Sequence, residues 1–360
     1  MRPAPLRASV HAGRADGEVI LTMAGSLSYA VSVPQWILTY QGVNISSDVS
    51  AMALEIAYTD RLGGASGDLA IALQDDDGLW RGPWTPAQGD VVSLDIGYPD
   101  GAPLPCGEFQ VDELLYESPP DTLHLRCLAA YITPAMRTRL SAGYEGQTLV
   151  GIAGTIAQKY GLTLVADPGA MNLAFARVTQ HQETDLAFLH RIALAHDYDF
   201  TVRGGQLIFY SRAALESAPP AAALARTDIL RAAFRTKSHR TYQAARVSYQ
   251  SPSAKRLITR RAASSAPIPT GDSLTIATRI ENGQQALLRA RSALHQSNMV
   301  RTTAELLTTG NTALAAGNTI SISGFGVNDG VYIISTATHR LTRRLGYATE
   351  LSLRKVDIQS

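Results

Sequence analysis

The sequence predicts a mainly β protein in which two similar β domains flank a small α/β domain. Three observations lead there. Short period-two strands punctuated by turns fill the first third, the periodicity turns helical near residue 149, and strand motifs near the C-terminus repeat a set near residue 90.

The first β domain is expected over residues 36–135. Met52, Leu54, Ile56 and Tyr58 alternate with other residues, as do Leu69, Ile71 and Leu73, and Val92, Leu94, Ile96 and Tyr98. Alternation of this kind buries one face of a strand. Turn chemistry separates the runs at Leu62-Gly63-Gly64, Asp75-Asp76-Asp77-Gly78, Tyr98-Pro99-Asp100-Gly101 and Ser118-Pro119-Pro120-Asp121. Evenly spaced short strands point to a sandwich or a barrel.

Residues 136–213 read as the α/β domain. Leu149, Ile152, Ala153, Ile156, Ala157 and Tyr160 fall at helical spacing, with Thr148 as N-cap and Gly161 as stop. A second helix is expected over Asp185–His196, capped by Thr184. A hairpin follows, with Phe200 and Val202 before Gly204-Gly205 and Leu207, Ile208 and Tyr210 after it. Gly-Gly supplies the positive φ angles of a two-residue hairpin turn. The Ala/Pro-rich stretch 214–225 reads as a linker.

Residues 226–360 return to strands, with one helix from about Gly283 to Gln296. Here Gly317-Asn318-Thr319-Ile320-Ser321-Ile322 echoes Gly89-Asp90-Val91-Val92-Ser93-Leu94. Gly330-Val331-Tyr332-Ile333-Ile334 echoes Gly107-Glu108-Phe109-Gln110-Val111. Thr349-Glu350-Leu351-Ser352-Leu353-Arg354 echoes Thr122-Leu123-His124-Leu125-Arg126. Three echoes in one order predict a duplicated β domain.

With 18% charged and 45% hydrophobic residues, the composition is that of an ordinary globular protein. Cys106 and Cys127 are expected as buried reduced thiols. No apolar run reaches the roughly 18 residues of a membrane helix, and Val19–Val31, broken by Gly25, Ser26 and Ser28, does not read as a secretion signal. The net charge of +1 is unevenly spread: residues 226–360 hold 19 Lys/Arg against 7 Asp/Glu, and residues 1–225 hold 13 against 24. Opposite charges on two halves suit complementary contacts between neighbouring copies. The candidate protomer-interface residues are therefore Asp75, Asp76 and Asp77 on the acidic side, and Lys255, Arg256, Arg260 and Arg261 on the basic side.

A catalyst needs convergent acid, base, nucleophile or metal ligands. The eight histidines (His11, His124, His181, His190, His196, His239, His295 and His339) are scattered, and no HExxH, CxxC, phosphate-binding glycine loop or GxSxG element is present. Asp75-Asp76-Asp77-Gly78 lacks the ligand spacing of a calcium loop. Trp80 and Trp84 could stack on sugars, although large aromatics more often close the end of a barrel. No catalytic, cofactor or metal residues are expected.

Several stretches resemble the late control D family, the hub at the tip of contractile phage tails. They are Gly107-Glu108-Phe109-Gln110-Val111-Asp112-Glu113, Pro119-Pro120-Asp121 through Arg126, Glu183-Thr184-Asp185 through Ala193, and Ala316-Gly317-Asn318 through Gly330-Val331-Tyr332. The resemblance covers about residues 37–355, leaving residues 1–35 as an N-terminal extension or a misplaced start. It implies two tube-like β-barrel domains per chain and a homotrimer whose six near-equivalent units form a ring. The implied partners are a separate spike protein, a tail tube or tube-initiating protein and a tape measure protein, with no membrane and no sequence-specific nucleic acid. The implied place is the virion tail, assembled in the bacterial host cytoplasm. The hub part of type VI secretion spike proteins looks similar. A cell-wall glycan-binding tail-tip module is the alternative.

Overall fold

The computed structural model describes residues 33–63, 67–131, 134–251, 255–264, 268, 270–277, 280, 283–344 and 346–356. The expected extension lies outside them up to residue 32, as does Gly64 of the first turn.

The first β unit consists of β1 (Gln35–Tyr40), β2 (Val43–Asn44), helix α1 (Ser46–Ser50), β3 (Ala53–Arg61), β4 (Asp68–Gln74), β5 (Val91–Gly97), β6 (Leu104–Glu117) and β7 (Thr122–Ala129). Its alternating residues meet in one core: Ile56, Tyr58, Leu69, Ile71, Leu73, Val92, Leu94 and Ile96 are all buried, together with the free thiols Cys106 and Cys127.

The α/β unit runs through β8 (Leu140–Thr148), α2 (Leu149–Lys159), β9 (Thr163–Ala166), β10 (Ala174–Glu183), α3 (Asp185–Leu194), β11 (Tyr198–Arg203), β12 (Gln206–Ser211) and α4 (Arg212–Ser217). The expected caps form: Thr148 accepts from Gly151 N and Thr184 from Ala187 N. Each satisfies an amide that the first helical turn leaves open. Leu149, Ile152, Ile156, Phe188, Leu189 and Ile192 pack on Phe200, Leu207 and Phe209 of the glycine hairpin.

The second β unit holds β13 (Ala222–Ala225), β14 (Ile229–Thr236), β18 (Thr302–Thr309), β19 (Thr319–Ser323), β20 (Gly330–Thr342) and β21 (Gly346–Lys355). Between β14 and β18 lie β15 (Ala244–Ser251), β16 (Arg256–Ala263), β17 (Ser273–Ala277) and α5 (Gly283–Asn298).

The two β units share one strand order, β3-β4-β7-β6-β5-β1 in the first and β14-β18-β21-β20-β19-β13 in the second. Their registers also match. Val92 faces Phe109 and Leu94 faces Gly107, as Ile320 faces Tyr332 and Ile322 faces Gly330. Gly89 and Gly317 both adopt φ of +90°, a left-handed conformation that glycine enters without steric cost. Gly89 N donates to Val111 O at 2.8 Å, and Gly317 N to Ile334 O at 2.9 Å. The β6–β7 ladder shifts register after Val111 and the β20–β21 ladder after Ile334. Even the ring pair recurs: Tyr58 lies 5.9 Å from Phe109, and Phe234 lies 6.2 Å from Tyr332. One difference is that β1 runs antiparallel to β5 whereas β13 runs parallel to β19.

Three expectations need correction. The third echo is out of register, because Cys127 and Leu353 are the residues that face Val111 and Ile334. Arg126 therefore corresponds to Ser352, not to Arg354; alternating strands look alike when slid by two. Residues 214–225 are not a bare linker, since α4 continues to Ser217 and Ala222–Ala225 pairs with β19. The third concerns the helix expected within the second β domain. It belongs to a separate insertion, where α5 covers one face of the β16-β15-β17 sheet through Ala286, Ala290 and Leu294. This insertion occupies the place of the short β3–β4 turn. The β units themselves are continuous, for β3 pairs with β20 and joins both into a thirteen-stranded sheet.

Candidate assembly surfaces

The parts of the chain are tied by polar joints. Arg203 on β11 donates to Pro105 O of β6 at 2.7 Å, and Ser292 on α5 donates to Leu194 O of α3 at 2.8 Å. Arg212 is buried and donates to Asp199 at 2.8 Å.

The most concentrated joint lines a crevice of about 850 Å³ between α4, α5, β16 and the end of β21. His295 Nδ1 lies 2.7 Å from Asp197 Oδ1, and Nε2 lies 3.1 Å from Glu216 Oε1. Arg354 also pairs with Glu216. Burial alone would depress the imidazole pKa, but hydrogen bonds to the two carboxylates raise it to about 9. Burial works against the Glu216 charge, yet His295 and Arg354 pull its pKa down to about 2. A carboxylate–histidine–carboxylate row superficially resembles an acid–base relay. Here both ring nitrogens are occupied as donors, so the imidazolium offers no free nitrogen to take a proton from a substrate. The arrangement clamps three parts of the chain together. Among the described residues no group of three or more His, Cys, Asp or Glu could hold a metal ion.

The buried His339 plays a different part at the seam between the β units. Its Nδ1 lies 2.7 Å from Tyr347 Oη, its Nε2 lies 3.1 Å from Leu314 O, and its ring stacks on Tyr58. Desolvation pushes its pKa down to about 4. The neutral ring donates from Nε2 to the carbonyl and accepts from the tyrosine hydroxyl. Neither histidine was singled out in the sequence, because their partners lie between 8 and 98 residues away.

The candidate interface residues divide. Asp75 is buried, accepting from Trp80 N and from Tyr116 Oη, each at 2.9 Å, with Arg81 beside it at 3.2 Å. Burial opposes its charge, but these partners hold its carboxyl below the usual range. It anchors its own loop and cannot be a contact residue, whereas Asp76 and Asp77 are exposed. Trp80 is buried in the first core with Trp84 packed edge-on at 5.5 Å. Lys255, Arg256, Arg260 and Arg261 are all exposed on or beside β16. The basic cluster thus sits on the insertion and not on the second β unit proper.

No family model matches the chain. Two curated proteins do, both described as a probable baseplate hub protein. One, of Escherichia phage 186, is 29% identical over 176 residues, covering 49% of this chain and 44% of the relative. The other, of Escherichia phage P2, is 27% identical over 176 residues, covering 49% and 45%. The matches span less than half the length of these relatives. Among solved structures, the 43 kDa tail protein of prophage MuSo2 from Shewanella oneidensis superposes with a TM-score of 0.71 at 16% identity, covering 90% of this chain and 99% of that one. The tail protein from Neisseria meningitidis MC58 gives 0.67 at 14% identity, covering 90% and 97%. The Escherichia coli c3393 protein, a component of the type VI secretion system, gives 0.55 at 14%, covering 88% and 76%. The resemblance to tail hub proteins read from the sequence is borne out: this chain is similar in sequence to two probable phage baseplate hub proteins and has the fold of solved phage tail proteins.

Proposed function

We propose that this protein is the structural baseplate hub of a contractile phage tail or a device derived from one. It works as a homotrimer that joins the tail tube above to a separate spike below. The observation that carries this reading is the duplicated β unit with matched register and matched glycines. Three chains with two near-equivalent units each present six, and closed rotational symmetry turns them into a pseudo-six-fold ring. Such a ring matches a six-fold tube on one side and a three-fold spike on the other. The tape measure protein is a third neighbour, and assembly takes place in the host cytoplasm. The role is non-enzymatic: the histidines that sit in charged or polar clusters are engaged in holding the chain together. Asp76, Asp77, Lys255, Arg256, Arg260 and Arg261 stay available as protomer contacts.

The test is the mass in solution by light scattering, with and without the candidate spike. A trimer, or a monomer that becomes three copies on the spike, supports the ring. A monomer under both conditions removes it.

A further inference from the structure

Charge in this chain is sorted by structural part more sharply than by sequence half. Residues 237–301, which contain the insertion, hold 11 Lys/Arg against 2 Asp/Glu, while residues 33–131, which contain the first β unit, hold 3 against 15. The second β unit proper, residues 222–236 and 302–356, holds 8 Lys/Arg against 4 Asp/Glu, a smaller excess. Most of the excess positive charge therefore belongs to the small β16-β15-β17 sheet and its helix.

That sheet is covered on one face only. Ala245, Val247 and Tyr249 of β15 pack toward α5, so Arg246, Ser248 and Gln250 face away. The register places Arg246 directly opposite Arg261 and Gln250 opposite Leu257 on the same outward face. Like charges directly opposite each other on a strand pair are destabilising. On the outward face, Arg246 and Arg261 form no ion pair among the described residues, whereas Arg256 and Arg260 alternate to the α5 side of β16. Leu257 shares the face of Arg246 and Arg261, with 63% of its surface exposed. β16 is one edge strand of its sheet, and among the described residues no further strand pairs with it. A sheet edge beside uncompensated arginines and a bare leucine is a surface waiting for a partner.

The same chain carries a patch of the opposite kind. On β6, Glu113, Leu115 and Glu117 are exposed, Leu115 by 50%, with Glu108 and Asp112 also on the strand. Arg126 of β7 lies 4.0 Å from Glu113 and His124 lies 3.0 Å from Glu117, but these pairs are solvent-exposed and worth little, and the patch keeps a net negative charge. One patch is a leucine beside arginines and the other a leucine on a surface of net negative charge. No ion pair among the described residues links them within one chain.

We propose that the outward face of the β16-β15-β17 sheet docks on the acidic β6 surface of a second copy, with Leu257 meeting Leu115 and Arg246 and Arg261 meeting Glu113 and Glu117. This rests on the reading of the protein as a ring-forming hub and names the contact. A chain bearing both halves of a complementary pair associates head to tail, and such contacts close into rings. Opposite patches steer the encounter and fix its register. The exposed leucine at the centre favours a protein over a polyanion, since a phosphate backbone offers no aliphatic counterpart and the face carries no aromatic ring for bases to stack on.

The experiment measures the mass of the full chain by light scattering across a dilution series, alone and with the candidate spike. Arg246→Glu/Arg261→Glu should weaken self-association at least tenfold, as should Glu113→Arg/Glu117→Arg. The quadruple variant carrying both swaps should recover it, and raising the salt to about 0.5 M should weaken the wild type by screening. Near-UV circular dichroism checks folding, with Arg246→Gln/Arg261→Gln substituted if reversal perturbs it. Unchanged association in the double variants, or a quadruple variant no better than the doubles, overturns the contact while a wild-type trimer leaves the hub intact. A wild type that stays monomeric with and without the spike removes the hub itself. If a 30-nucleotide oligonucleotide binds the wild type, and reversal abolishes this without changing the mass, the face serves nucleic acid and the contact is overturned.

Discussion

His295 on α5 lies 3.1 Å from Glu216 on α4, and that carboxylate also holds Arg354 at the end of β21. One glutamate thus joins the insertion, the α/β unit and the second β unit. His295→Ala leaves Asp197 and Glu216 facing each other's neighbourhood without the cation between them. The side chains are about a quarter exposed, which discounts the effect, so the expected loss is on the order of 2 kcal/mol. Differential scanning calorimetry measures it. The pH dependence has a definite sign. The raised pKa of His295 contributes stability that is complete below its ordinary 6.5 and fades as pH rises through about 9. The lowered pKa of Glu216 contributes stability that is complete above its ordinary 4.5 and fades as pH falls through about 2. The clamp is therefore strongest between about pH 4.5 and 6.5, and the variant should lose that plateau.

His339 behaves in the opposite way. Its pKa is depressed to about 4, so the unfolded chain binds a proton that the folded chain resists. Its contribution is complete above 6.5 and is lost as pH falls toward 4. A shift of that size corresponds to about 3 kcal/mol. His339→Leu removes the acceptor of the Tyr347 hydroxyl and the donor to the Leu314 carbonyl, and should cost about 2 kcal/mol at pH 7. The same variant should show a flatter dependence of Tm on pH between 6.5 and 4. An unaltered slope would mean that other groups govern acid sensitivity.

Gly310 admits no side chain. A Cβ there would lie 2.0 Å from Cγ of Tyr347, whose carbonyl accepts from Gly310 N at 2.9 Å. Tyr98 meanwhile donates to Gly310 O at 3.1 Å and ties the first β unit to the second. Gly310→Ala should destabilise by about 3 kcal/mol, at the upper end of overpacking costs. Gly143→Ala, where nothing lies within 4 Å, is the control and should stay within about 0.5 kcal/mol. Chemical denaturation of both distinguishes a packing effect from a general intolerance.

The three aspartates after β4 should separate cleanly. Asp75→Ala removes the acceptor for Trp80 N and Tyr116 Oη and should cost about 3 kcal/mol. Asp76→Ala and Asp77→Ala remove exposed groups and should change stability by less than about 0.5 kcal/mol. Thermal melts of the three variants side by side decide this.

What the sequence by itself determined were features whose causes lie within a few residues of each other. The Thr148 and Thr184 caps, the turn at Gly204-Gly205 and the alternation that buries Val92, Leu94 and Ile96 are of this kind. The repeat was legible at Gly89 and Gly317 because a left-handed backbone demands the same residue in both copies. Only the tertiary structure decided which strand faces which. It matched Arg126 with Ser352 between the two β units, made Asp75 an internal anchor and assigned the arginines of β16 to an insertion with its own core. It also brought Glu216 to both His295 and Arg354, which lie 79 and 138 residues further along the chain. Local backbone preference is written in neighbouring letters, whereas pairings between distant segments depend on packing that no short stretch of sequence contains.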